Sequence, residues 1–169
     1  MGLKPQDVVV LLKIALSEQG RWSFNSLAHE LVMSPSEVHA AAKRAIQAGL
    51  LSESTRQPNR SALLELIVHG IKYVFAPERG GITRGLPTGY AAPPLNKKIA
   101  QSDELPPVWP DAEGTVRGEA LMPLYRSVPA AARKDPKLYE CLALVDAVRS
   151  GRARERKLAE SMLTSILSA

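Results

Sequence analysis

The chain has 169 residues, 45% of them apolar and only 5% aromatic, and a formal net charge of +5. That is one domain, or one domain with an appendage, holding enough apolar material for a real core that aliphatic and alanine packing must build, which favours helix. The charge excess is mild and forms no polybasic tail, so it permits a nucleic-acid partner without demanding one.

Taken in chain order, three regions stand out: 1–76, dense in helical periodicity; 77–115, a connection rich in proline and glycine; and 116–169, helical again. Pro5 opens a first helix with Asp7 near its positive end, and Val8, Leu11, Leu12, Ala15 and Leu16 form its apolar stripe before Gly20. Arg21 to Ser23 has room for a single strand. Ser23 then caps a second helix from Phe24 to about Val32. Ser34-Pro35-Ser36-Glu37 is a capping box with proline at the first helical position, and its helix runs to about Ala48, where Gly49 ends it.

Leu50 to Ser54 reads as a short strand, followed by a turn over Thr55 to Asn59. Ser61 to Phe75 reads as helix, with the return strand of a wing over Ala62 to Leu66 as the alternative. The prolines and glycines between 77 and 110 predict no regular structure. Arg117 to Tyr125 reads as a short helix or irregular turn. Asp135-Pro136 opens a helix to Gly151, and a last helix starts at Arg152 with Leu158, Met162, Leu163, Ile166 and Leu167 on one side.

Two short helices joined at Val32-Met33-Ser34 carry the functional signal. Leu27, Ala28 and Leu31 face inward from the first, and Val38, Ala41, Ala42, Ala45 and Ile46 from the second. Small Ala28 lets the helices cross closely, which is the apolar pattern of a DNA-reading helix-turn-helix. The stretch Leu27-Ala28-His29-Glu30-Leu31, with Met33-Ser34-Pro35-Ser36-Glu37-Val38 and the exit Ala48-Gly49-Leu50-Leu51, resembles the bacterial winged-helix regulators of the MarR-like group. The resemblance covers roughly residues 5–60. Val32 departs from it, standing where such families commonly carry glycine or asparagine.

The expected fold is mainly α: an N-terminal winged helix-turn-helix (1–76), the connecting segment, and a C-terminal helical region for dimerisation or partner binding. The resemblance implies a transcriptional regulator that binds double-stranded DNA as a homodimer, and the first and last helices are the expected pairing surfaces. The expected DNA contacts are Ser34 at the cap; Ser36, His39, Ala40 and Lys43 toward base edges; Lys43 and Arg44 on phosphates; and Arg56 and Arg60 beside the wing turn. Glu37 would repel phosphate unless the capping box holds its carboxylate. The alternative is an antitoxin-type or adaptor protein whose C-terminal part binds a partner such as a toxin, with Tyr90, Trp109 and Tyr125 as docking aromatics.

Other chemistry finds no pattern. His29, His39 and His69 lack metal spacing, and Gly80 to Gly85 lacks the Gly-Lys-Ser/Thr ending of a phosphate loop. No nucleophile elbow or carboxylate pair stands out, so no enzyme, metal or cofactor is expected. Cys141, the single cysteine, has no disulfide partner and reads as a buried thiol. Arg149, Arg152, Arg154, Arg156 and Lys157 read as a solvated helix corner, with extra phosphate contact the alternative. The apolar runs are too short for a membrane span, and no charged-then-apolar signal opens the chain; a cytoplasmic protein with no membrane partner is expected.

Overall fold

The computed structural model describes residues 2–100 and 102–168. Helices α1 (Pro5–Leu16), α2 (Phe24–Leu31) and α3 (Pro35–Gln47) come first. Next come α4 (Arg60–Glu65) and α5 (Ile71–Val74), joined through a π turn over Leu66–Gly70. Three strands follow: β1 (Arg79–Pro87), β2 (Pro107–Pro110) and β3 (Val116–Leu121). Helices α6 (Val128–Lys134), α7 (Pro136–Ser150) and α8 (Ala153–Ser168) complete the chain. The architecture is therefore mixed, with helices dominant and a small sheet added.

The helix boundaries follow from capping chemistry. The Ser23 hydroxyl accepts the Ser26 amide at 3.0 Å. The Ser34 and Glu37 side chains accept each other's amides at 3.2 and 2.7 Å, which is the expected capping box. Asp135 caps α7 by accepting from Lys137 and Leu138.

α1 is the central helix. Val8, Val9, Leu11 and Leu12 are fully buried, as is the Asp7 side chain, and Lys13 is largely buried. Each large aliphatic side chain so enclosed contributes roughly 2 kcal/mol relative to exposure. One apolar cluster runs from Val8 through Leu31, Ile67, Trp109 and Leu142 to Leu167, so all three stretches of the chain share a core. The Lys13 ammonium adds a link, reaching Asp135 at the start of α7 (2.6 Å) and Glu30 at the end of α2 (3.5 Å). This corrects the assignment of α1 as a pairing surface. α1 has no free face, whereas α8 buries Ala159, Leu163 and Leu167 against the body and leaves Leu158, Met162 and Ile166 half-buried.

The proline- and glycine-rich segment contradicts the expectation of irregular chain. β1 pairs antiparallel with β2 and with β3, and β2 runs parallel to β3, closing a three-stranded barrel. Two physical features make this sequence workable. Prolines serve as acceptors: Thr88 donates to the Pro107 carbonyl at 3.0 Å and Glu119 to that of Pro106 at 2.9 Å. Glycines permit close approach, since a Cβ on Gly85 would overlap the Trp109 carbonyl and one on Gly118 that of Pro106. Residues 117–121, expected as helix or turn, form most of β3.

Buried Asp146 of α7 ties the barrel to the helices. It accepts from the Thr88 hydroxyl and the Trp109 indole, both at 2.7 Å, and pairs with Arg149 at 2.9 Å. Arg149 in turn donates to the carbonyls of Phe75 (2.8 Å) and Met122 (3.2 Å). Arg149 is thus a buried structural group and leaves the surface cluster to which the sequence assigned it. No helix among the described residues is long and apolar enough to cross a membrane.

Candidate nucleic-acid interface

The turn between α2 and α3 sets the geometry. Val32 adopts the left-handed conformation, φ 56° and ψ 45°. Its amide closes α2, and the Met33 amide donates to the Ala28 carbonyl at 3.0 Å. A sharp left-handed residue followed by a capped proline helix swings α3 across α2, with Val38, Ala41, Ala42 and Ala45 buried at the crossing. Valine at this position costs energy, because its Cβ crowds the following carbonyl.

The outer face of α3 is open. Ser36, His39, Lys43 and Gln47 are exposed and Ala40 is half-buried. Spacings of three and four residues place Ser36, His39 and Lys43 in one row along the helix. Ser34 stays at the cap, its hydroxyl 3.1 Å from that of Ser36. His39 leans on the Phe24 ring, with centroids 4.9 Å apart, which fixes the imidazole beside the row.

Three arginines expected on DNA sit differently. Arg44 is buried and donates from Nε and Nη2 to the two carboxylate oxygens of Asp7 at 2.8 and 2.7 Å. This bidentate pair raises the Arg44 pKa further and removes the side chain from any phosphate. Arg60 donates to the Ala15 carbonyl at 2.7 Å and the Leu167 carbonyl at 3.5 Å, joining the C-terminal ends of α1 and α8. Cations favour helix C-termini, so its role here is to hold two helix ends together.

Arg56 borders the groove but is clamped. Its guanidinium lies 4.0 Å over the Trp22 ring and donates to the Trp22 carbonyl at 2.6 Å, while the indole N–H donates back to the Arg56 carbonyl at 3.1 Å. Arg56 is itself left-handed, φ 59°. The clamp anchors the loop after α3, where the wing was expected. That loop is held by the bridge of Leu51 with Pro58 and by backbone bonds from Ser52 to Gln57 (2.9 Å), Arg56 to Ser52 (2.9 Å) and Asn59 to Leu50 (2.8 Å). The segment after it is helix, so no return strand follows. Trp22, Phe24, His39, Lys43, Ile46 and Arg56 line the cleft between this loop and α3.

Sequence reasoning missed the neighbours of the α3 N-terminus. The Glu37 carboxylate accepts from the Tyr125 hydroxyl and, at 2.9 Å, from Arg126, both on the loop between β3 and α6. The Tyr125 hydroxyl, the Ser34 amide and Arg126 together hold the Glu37 carboxyl at about 2, well below its ordinary range. The carboxylate therefore stays ionised, with Arg126 as its ion-pair partner. Lys134 of α6 donates to the His29 carbonyl at 2.9 Å, bringing another cation to the end of α2. Only tertiary structure brings these residues here, since each lies about ninety or more positions away from its partner.

No family model, no curated protein and no solved structure matches this chain. Among the described residues, no group of three or more His, Cys, Asp or Glu side chains could hold a metal ion. Cys141 is buried and its thiol is pushed up to about 12 by desolvation. Of the aromatics expected to dock a partner, Trp109 is buried, bonding Asp146, and Tyr125 is bound to Glu37.

Proposed function

We propose that the chain binds double-stranded DNA through α3 and acts as a regulator of transcription, in the manner of the winged-helix regulators it resembles. The observation that carries this reading is the exposed row Ser36, His39 and Lys43 on a short capped helix whose opposite face is wholly buried. Such a helix presents its N-terminal two turns to a major groove, where hydroxyl, imidazole and ammonium groups meet base edges and phosphates. The Glu37 carboxylate at the start of the helix is held by Tyr125 and paired with Arg126, which offsets its repulsion of phosphate. Pairing of two copies, which the resemblance implies, uses a surface other than the buried α1.

His39→Ala with Lys43→Ala tests the reading, with Arg44 left in place because the fold depends on it. Selection from a random duplex pool should yield a preferred sequence for the wild type. The double variant should lose that preference and bind at least tenfold more weakly, each lost base contact being worth about 1–3 kcal/mol. Selection that yields the same sequence with the same affinity for the double variant defeats the assignment of α3.

A further inference from the structure

The barrel carries an arrangement that its own stability does not explain. Arg84 of β1 and Arg117 of β3 stand directly opposite each other in the antiparallel pairing. Like charges in that position destabilise a sheet, since facing Cβ atoms lie only about 5 Å apart. Both side chains are exposed, and neither makes an ion pair or side-chain hydrogen bond among the described residues. Glu119 pairs across the strands with Ile82 and engages neither arginine. With Thr83, Thr115 and Ile82, the two arginines line a shallow groove on the outside of the barrel. A facing pair of unpaired guanidiniums is what an anion with several oxygens would bridge.

A chain of contacts also links the groove to the end of α2. Lys134 bonds the end of α2, its neighbour Arg133 pairs with Asp111, and the Asp111 amide donates to the Arg84 carbonyl at 3.2 Å.

We propose that Arg84 and Arg117 form a second contact surface, which binds the phosphodiester backbone of the duplex flanking the α3 site. The proposal rests on the DNA-binding reading above. Backbone contacts of this kind position a protein and add affinity without reading sequence.

The test compares wild type, Arg84→Ala/Arg117→Ala and Arg84→Lys/Arg117→Lys on a random-sequence duplex of about 30 base pairs. Fluorescence anisotropy follows binding across a salt series. The alanine pair should weaken binding roughly tenfold to a hundredfold on every sequence and reduce the salt slope by about 2. The lysine pair should keep most of both, because a point charge still releases counterions. The melting temperature of the alanine pair should not fall, since its removal relieves repulsion. An unchanged slope and affinity in the alanine pair overturns the barrel surface alone. A loss confined to one sequence overturns its backbone role. A wild type that binds no duplex at all overturns the DNA-binding reading, and this proposal with it.

Discussion

Arg44 of α3 and Asp7 of α1 form a bidentate ion pair in the centre of the molecule, with both charged ends almost wholly enclosed. It fixes the angle at which α3 leaves the body, and so couples the core to the exposed row on the other side of the same helix. Arg44→Ala leaves an unpaired carboxylate buried and should cost about 3–5 kcal/mol in urea denaturation. Asp7→Leu with Arg44→Met, which removes both charges, should recover most of that loss. A single variant as stable as wild type would show that the pair does not hold α3.

Val32 makes the opposite prediction. It occupies a left-handed conformation that disfavours β-branched residues, yet its side chain is 46% exposed and buries little. Val32→Gly should therefore raise stability by about 1 kcal/mol, with no change in duplex affinity. A lower denaturation midpoint for the glycine variant would mean that the valine side chain supports the turn.

Glu37 gives a pH dependence of definite sign. Its carboxyl is lowered from an ordinary 4.5 to about 2 by the Tyr125 hydroxyl, the Ser34 amide and Arg126. A group depressed in the folded state contributes stability that is complete above its unfolded value and is lost as pH falls through the folded one. Hydrogen-exchange protection of the loop around Tyr125 should thus hold above about pH 4.5 and decline toward pH 2. In Glu37→Gln that loop should be less protected throughout, with no change across this window. Identical profiles for the two proteins would separate the loop from α3.

The contrast among these residues explains what was legible in the sequence. Ser23, Ser34-Pro35 and Asp135-Pro136 mark helix starts through local bonds, and the structure begins helices at each. The row Ser36, His39 and Lys43 was readable because helical periodicity alone separates it from Val38, Ala42 and Ala45. Arg44 was not, because its inward turn depends on Asp7, thirty-seven positions earlier. Arg60 was misplaced for the same reason, since the Ala15 carbonyl claims it, and the clamp of Arg56 on Trp22 was equally invisible, though Arg56 does border the cleft.

The barrel was hidden by its own chemistry. Pro107 and Pro110 mark a break by local rules, yet both belong to β2, where neighbouring carbonyls do the bonding. Gly85 and Gly118 signal a flexible link, but they sit where strands approach too closely for any side chain. Short strands with little alternation leave no period to detect. The wing fared similarly: Leu51 was expected in a strand and makes only one bridge, to Pro58.

DNA recognition through α3 is decided by where a duplex touches the protein. Amide and side-chain NMR shifts recorded while a selected duplex is added should move first and furthest at Ser36, His39, Ala40 and Lys43, with Asp7 and Arg44 still paired. Shifts that leave this row unmoved and gather elsewhere, or no shifts at any duplex concentration, would contradict it.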